Sequence, residues 1–151
     1  MIRRGATALL VVLVSGACAS GGKLPIYGSW RVTAYQATGA SSQSSVQTLA
    51  WIGTSASYTA GDARFGVTRC YAPTYTSQSL SPTDFTAEYK VAPSALGLTG
   101  ESVPVYKVEC PKDPSLKMVL IVKGADNVLV PWAGTFFQME RLVTTQRSPS
   151  Y

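Results

Sequence analysis

Histidine is absent from this 151-residue sequence, and charged residues make up only 14% of it. Without histidine, neither Ser-His-Asp nor Cys-His catalysis is available to the chain. The sequence also lacks a Gly-x-Ser-x-Gly nucleophile turn, a phosphate-binding loop and a dinucleotide fingerprint. Its cysteines show no Cys-x-x-Cys spacing, which argues against a metal site. We therefore expect no enzymatic activity, no catalytic residue, no metal and no cofactor.

The sequence has no apolar run of the roughly 20 residues that a membrane-spanning helix needs. It begins instead with Arg3 and Arg4, a short apolar stretch from Ala6 to Val14, and small residues up to Ala17. A positive start, a short apolar middle and a small-residue end are typical of a secretory signal peptide. We expect residues 1–17 to be a signal peptide that is cleaved from the mature protein.

Two cleavage sites compete at the end of this segment. Ala17-Cys18-Ala19 fits the A-x-A pattern of ordinary signal peptidase, which would release a soluble periplasmic chain starting at Ser20. Residues 14–18 resemble a bacterial lipobox, in which the cysteine is acylated before cleavage just ahead of it. Residues 18–26 would then be a flexible tether, and the absence of Asp after Cys18 favours the outer membrane. We expect a lipid on Cys18 and a periplasmic protein anchored to the outer membrane.

The two remaining cysteines, Cys70 and Cys110, form an even pair in an exported chain. Such a pair is most simply one disulfide. A bridge that closes a loop of about 40 residues contributes on the order of 4 kcal/mol in the chain-entropy model. The alternative is two buried free thiols.

Composition favours β-structure in one domain. Hydrophobic residues make up 46% of the chain, which also contains 13 glycines and 8 tyrosines and is rich in Ser and Thr. Arg3 and Arg4 account for two of the five net positive charges, so the mature chain carries about +3. Its basic residues are scattered, and we expect no nucleic-acid partner.

Alternating apolar and polar residues predict about eight strands in residues 27–143. These are residues 27–36, 54–60, 62–67, 74–80, 102–110, 116–124, 128–132 and 135–141. Two short helices are predicted, one ending at Gly53 and one starting at Ser81 as the cap with Pro82 at the first helical position. Residues 144–151 look like a frayed tail. One domain with this pattern predicts a small, closed or nearly closed antiparallel barrel.

Gly28-Ser29-Trp30, at the start of the first strand, resembles the G-x-W signature of lipocalins and their bacterial lipocalin-like relatives (calycins). The resemblance implies a lipocalin-like barrel in which Trp30 plugs one end and an arginine of the last strand packs across its ring. Arg141 occupies that late position, on the predicted face of Phe137 and Met139. The overall plan is also similar to META-type heat-shock lipoproteins and to periplasmic inhibitors of metalloproteases and lysozyme.

Two functions are compatible with such a barrel. In the first, which we favour from the sequence, loops bind a protein partner, for instance an envelope-attacking hydrolase that the barrel inhibits. Tyr71, Tyr75 and Trp132 are the candidate contacts, although they also suit the closing of the barrel ends. In the second, the barrel carries a small apolar ligand in envelope maintenance. Large inward residues favour a filled interior, and a cavity above about 300 Å³ lined by these same side chains would favour the carrier. They are Trp30, Tyr106, Leu120, Phe137 and Met139.

Overall fold

A computed structural model describes residues 22–39 and 42–143 of the chain. The predicted signal peptide, the predicted acylation site at Cys18 and the tail at 144–151 lie outside the described residues. Within this part, no helix is long and apolar enough to cross a membrane. The described chain is mainly β, with one antiparallel sheet and two short α-helices.

The sheet has nine strands. They are β1 (Gly28–Ala37), β2 (Ser55–Tyr58), β3 (Asp62–Phe65), β4 (Thr68–Tyr71), β5 (Thr74–Leu80), β6 (Val103–Glu109), β7 (Lys117–Gly124), β8 (Asn127–Trp132) and β9 (Thr135–Arg141). Helix α1 (Ser45–Leu49) follows β1, helix α2 (Pro82–Tyr89) follows β5, and a 3₁₀ helix (Pro93–Leu96) follows α2. The strand order across the sheet is β4-β3-β2-β1-β9-β8-β7-β6-β5.

The sheet curls into a half-barrel whose two edges meet at one point. Strands β4 and β5 form opposite edges, yet only Ala72 and Pro73 separate them in the chain. All neighbouring strands are antiparallel, so β4 and β5, eight positions apart, run in the same direction. They therefore follow one another as two halves of a kinked strand. We call this junction the seam.

Two side-chain links hold the seam together. The predicted disulfide is present: it joins Cys70 on β4 to Cys110, the residue after β6, with Cα atoms 5.6 Å apart. The Tyr75 hydroxyl on β5 donates a hydrogen bond of 2.7 Å to the carbonyl of Thr59, between β2 and β3. Covalent and side-chain contacts thus connect strands that no backbone ladder joins in the described chain.

The sheet is buried on both of its faces along β6 to β9. The inner face carries the main core, which includes Trp30, Leu120 and Phe137. The outer face carries a second core in which Phe85 of α2 packs with residues such as Ile121. The sequence predicted that the strand at 116–124 is apolar on both faces. Within it, the adjacent residues Leu120 and Ile121 lie in different cores.

The predicted helices are both present, and the strand count is nine instead of the eight expected. The Ser81 hydroxyl accepts the backbone N–H of Asp84, and Pro82 starts α2 as predicted. The additional strand is β4, which has only four residues, of which Thr68 and Arg69 gave no apolar alternation. It pairs with β3 in a hairpin whose turn is Gly66-Val67.

Candidate functional site

Trp30 lies near the start of β1 and belongs to the main core. Its ring is fully buried, and its indole N–H donates a hydrogen bond of 2.9 Å to the carbonyl of Ile26. The guanidinium carbon of Arg141 lies 4.1 Å from the centre of the indole rings. A cation in this position is attracted to the negative face of the ring. The two residues that the lipocalin resemblance singled out are therefore in direct contact.

Arg141 also fixes three pieces of backbone at the same end. It donates hydrogen bonds to the carbonyls of Tyr27 (2.7 Å), Pro25 (2.6 Å) and Ala125 (3.0 Å). Its Nε lies 3.1 Å from a carboxylate oxygen of Asp126. The planar guanidinium, with five N–H groups, can satisfy several acceptors at once. We call this arrangement of Trp30 and Arg141 the sealed end, and its contacts are structural.

The candidate ligand site is an apolar cavity of about 360 Å³. It lies between the β3–β4 hairpin, the start of β7, the β8–β9 hairpin and the turn after α1. The lining residues are Trp51, Phe65, Thr68, Ser115, Leu116, Lys117, Met118, Val119, Val130, Pro131, Trp132 and Phe137. Phe137 and Val130 belong to the core, whereas Trp132 is 54% exposed. The cavity therefore runs from the protein surface into the core.

Aromatic rings form the wall of the cavity. The rings of Trp51 and Phe65 have centroids 5.1 Å apart, and those of Trp51 and Phe137 are 5.9 Å apart. Trp51 comes directly after α1, which starts with a capping box between Ser44 and Gln47. Because that cap fixes the short helix, the following turn places the indole between two strands. Aromatic side chains supply large apolar contact area for a ligand.

Polar groups are few in the cavity lining. They are the hydroxyls of Thr68 and Ser115 and the ammonium group of Lys117, which is exposed. None of the lining residues is acidic. Such a site fits an uncharged apolar molecule or one with a negative end, and it offers no acid–base pair for catalysis. Among the described residues, no group of three or more Cys, Asp and Glu side chains is placed to hold a metal ion.

A second, more open hollow lies near the sealed end. It measures about 730 Å³ and is lined by Gly22, Lys23, Leu24, Tyr27, Gly28, Tyr58, Thr59, Ala60 and Tyr75. The rings of Tyr27 and Tyr75 meet edge to face with centroids 5.3 Å apart. Burial, together with the neighbouring Tyr27 phenol, raises the pKa of Tyr75 to about 12. Tyr75, which bonds across the seam, is part of the lining of this hollow.

Tyr58 lies fully buried beneath this hollow. Its hydroxyl has no hydrogen-bond partner among the described residues. Burial, with a smaller contribution from Tyr75, raises the pKa of the Tyr58 phenol well above its usual range. The group therefore stays neutral at physiological pH.

The three aromatic residues proposed as partner contacts do not share one surface. Trp132 lines the apolar cavity, and Tyr75 lines the second hollow and packs on Tyr27. Tyr71 is exposed, with the guanidinium of Arg69 4.2 Å from its ring centre, and belongs to neither lining.

Sequence reasoning missed most of the cavity wall. Trp51, Phe65, Leu116 and Met118 were not singled out, although all four contact the main core. Phe65 precedes Gly66, and Leu116 and Met118 flank Lys117 at the start of β7, positions that carry no functional signal in the sequence. Their convergence depends on how the strands curl, which periodicity alone does not specify.

No protein-family model, no curated protein and no solved structure matches this chain.

Proposed function

We propose that this protein is a non-enzymatic, lipocalin-like barrel of the bacterial envelope that binds a small apolar ligand in its cavity. The apolar cavity is the observation that supports this proposal. Its volume of about 360 Å³ is at the small end of the range for small-molecule sites. Of the five large inward residues named from the sequence, only Phe137 lines this cavity, so the preference for a ligand over a protein partner rests on the cavity itself and not on a hollow barrel interior.

The chemistry of the lining supports an apolar ligand. Trp51, Phe65 and Phe137 offer ring faces and edges, and Met118 adds a flexible, polarisable side chain. Ligand binding would displace water from these surfaces, which is favourable in proportion to the apolar area covered. Lys117 is the one charged residue among those that line the cavity, and its ammonium group suits a ligand with a negative end.

The envelope location is part of the same proposal. The signal-like segment, the lipobox-like residues around Cys18 and the Cys70–Cys110 disulfide are typical of an exported protein in an oxidising compartment. A lipid on Cys18 would anchor the barrel to the outer membrane, and cleavage after Ala19 would leave it free in the periplasm.

Binding of a protein partner is the second candidate. The exposure of Tyr71 and Trp132 favours it, because exposed aromatic residues are common anchors in interfaces. Its weakness is that Tyr75 is engaged in the seam and that the three residues lie on separate surfaces. An inhibitor of an envelope-attacking hydrolase would use such exposed loops.

The test is titration of an environment-sensitive apolar fluorescent probe into the purified protein. We expect saturable binding that Met118→Trp weakens about ten-fold or more, because the larger side chain fills the cavity. The volume-conserving Met118→Leu is the matched control and should bind like the wild type. Equal probe affinity in all three proteins would place binding elsewhere and overturn the proposal. Mass analysis of lipids that copurify from the envelope would identify the natural ligand.

A further inference from the structure

The second hollow borders a buried hydrogen-bonding group that the described chain leaves unused. The hydroxyl of Tyr58 is fully buried and has no hydrogen-bond partner among the described residues. Tyr58 is also one of the residues that line this hollow of about 730 Å³. A buried polar group without a partner costs free energy, and native proteins contain few of them. A molecule bound in the hollow would supply the partner that the hydroxyl lacks.

The strands on either side of Tyr58 explain why its hydroxyl has no partner. Tyr58 lies opposite Gly28 of β1 and opposite Ala63 of β3. Side chains that face each other across a ladder lie close together, so they are natural partners for one another. Gly28 has no side chain, and the methyl group of Ala63 cannot form a hydrogen bond. The two adjacent strands therefore offer nothing to the phenol.

Two other hydroxyl groups in the lining of the hollow are already engaged. The hydroxyl of Tyr75 donates to the carbonyl of Thr59 at 2.7 Å. The hydroxyl of Thr59 donates to the carbonyl of Asp62 at 3.1 Å and accepts the backbone N–H of Asp62 at 3.0 Å. Both groups hold the seam and the β2–β3 turn together. Tyr58 differs from them, because its buried hydroxyl is left to donate to a ligand.

The charges around the hollow favour a ligand with a negative group. Lys23 is the one charged residue among those that line the hollow, and no lining residue is acidic. Asp62 lies outside the lining, and its carboxylate is paired with Arg64 and Arg69. The phenol of Tyr58 stays neutral because burial raises its pKa, so it keeps the proton that it would donate. A hydrogen bond to an ionised acceptor is stronger than one to a neutral acceptor.

The rest of the lining favours a ligand with a ring. The rings of Tyr27 and Tyr75 meet edge to face with centroids 5.3 Å apart, and Leu24 adds an aliphatic side chain. Aromatic rings pack well against a further ring in offset or edge-to-face arrangements. Arg141 donates to the carbonyl of Tyr27, and Tyr75 is bonded across the seam, so both residues are anchored without a ligand. The lining therefore suits a flat ring with one charged end.

We propose that the second hollow is a binding site for a small aromatic carboxylate. The ring of the ligand packs against Tyr27 and Tyr75, and its carboxylate accepts a hydrogen bond from the hydroxyl of Tyr58 beside the ammonium group of Lys23. This site is separate from the apolar cavity, because the two linings share no residue. The proposal goes beyond the proposed function and does not depend on it.

Calorimetric titration with 2-naphthoate tests the site. The protein is the exported chain carrying Cys18→Ala, which removes the predicted acylation site. We expect saturable binding at one site, and binding of the neutral 2-naphthamide that is about ten-fold weaker or more, because the amide has no charge to stabilise. Absence of naphthoate binding, or equal affinity for the two compounds, would overturn the proposal.

Tyr58→Phe tests the hydroxyl that carries the argument. We expect it to weaken naphthoate binding about ten-fold or more, since a hydrogen bond to a charged group is lost. Tyr35→Phe is the matched control: Tyr35 is 38% exposed and lines neither hollow, so affinity should not change. Tyr58→Phe should also raise the denaturation midpoint of the ligand-free protein. Higher stability combined with weaker binding is a result that a purely structural role of the hydroxyl would not give, and wild-type affinity in this variant would refute the site.

Lys23→Gln tests the charge. It should weaken naphthoate binding about three-fold and remove most of the dependence of the affinity on salt, as expected for an exposed ion pair. Lys112→Gln, at an exposed position outside both linings, should change neither property. Equal effects of the two substitutions would contradict the contact with Lys23.

Met118→Trp separates this site from the apolar cavity, which also has a lysine in its lining. The substitution fills the apolar cavity and should leave naphthoate affinity unchanged. If Met118→Trp abolishes naphthoate binding and Tyr58→Phe does not, the carboxylate binds in the apolar cavity and the second site is wrong. Failure of the apolar probe to bind, with naphthoate binding intact, would remove only the proposed function.

Discussion

A Cβ atom on Gly28 would lie 2.6 Å from Nη1 of Arg141, so the glycine and the arginine occupy one tightly fitted corner of the sealed end. Gly28 also has a φ of 140°, a conformation that residues with a side chain rarely adopt. The first residue of the G-x-W signature thus has a physical role. It lets the guanidinium pass over the backbone to reach the ring of Trp30 and the carbonyl of Tyr27.

Gly28→Ala should therefore destabilise the protein. Backbone strain at positive φ together with displacement of Arg141 is expected to lower the free energy of unfolding by about 1–3 kcal/mol. Urea denaturation followed by tryptophan fluorescence measures this. Gly61→Ala is the control, since Gly61 has open space around it and no positive φ, and it should change stability little. Equal effects of the two substitutions would contradict the role assigned to Gly28.

Arg141→Lys should also be destabilising, even though it keeps the positive charge. A lysine cannot reach several carbonyls in a plane while stacking on an indole, so buried acceptors lose their donors. We expect a loss of about 2–3 kcal/mol in the free energy of unfolding. Arg31→Lys, at an exposed position of β1, should stay within about 0.5 kcal/mol. A near-neutral Arg141→Lys would show that the guanidinium contacts contribute nothing.

The disulfide should contribute strongly to stability, because it connects β4 to the end of β6, which no backbone ladder joins in the described chain. Replacing Cys70 and Cys110 together by alanine should lower the free energy of unfolding by about 4 kcal/mol, since it restores the freedom of a 40-residue loop. Each single replacement should cost as much as the double one, because either breaks the bond. Chemical denaturation with thiol counting checks this. Additive single effects would contradict it.

Sequence periodicity predicted the strands with a clear apolar alternation and missed a short strand that has none. Trp30 and Val32 alternate with polar residues in β1, and Ser81-Pro82 is a strong local helix start, so both elements were found. Strand β4 is defined by pairing with β3 and by the disulfide, neither of which leaves an apolar pattern. Trp51 reaches the cavity only because α1 folds back over the strands. That position depends on tertiary contacts distant in sequence.

The sealed end was more accessible to sequence reasoning than the cavity. Trp30 and Arg141 lie at the two ends of the domain sequence, and the lipocalin resemblance sufficed to predict their contact, whereas the fit of Gly28 against Arg141 was not predicted. The cavity wall comes from four separate segments with no shared motif. Its residues are brought together by the curl of the sheet, which periodicity does not specify.

The raised pKa values of Tyr58 and Tyr75 predict that the protein loses stability at alkaline pH. A phenol whose pKa is raised by folding contributes stability that is complete below the unfolded pKa of about 10 and declines as pH rises toward the folded pKa. Tyr75, with a pKa of about 12, and Tyr58, whose pKa is raised further, should therefore make the protein lose stability progressively above pH 10. Denaturation midpoints measured from pH 8 to pH 12 should fall only in the upper part of this range.

The substitution Tyr58→Phe measures the contribution of the hydroxyl to stability separately from that of the ring. Because the Tyr58 hydroxyl is buried without a hydrogen-bond partner among the described residues, its removal should raise the free energy of unfolding by about 1 kcal/mol at pH 7. It should also reduce the alkaline loss, because one buried phenol no longer has to ionise. Tyr75→Phe is the informative counterpart: it removes the hydrogen bond to Thr59 across the seam and should destabilise instead. Destabilisation by Tyr58→Phe of the same size would mean that a water or ligand satisfies the hydroxyl in solution.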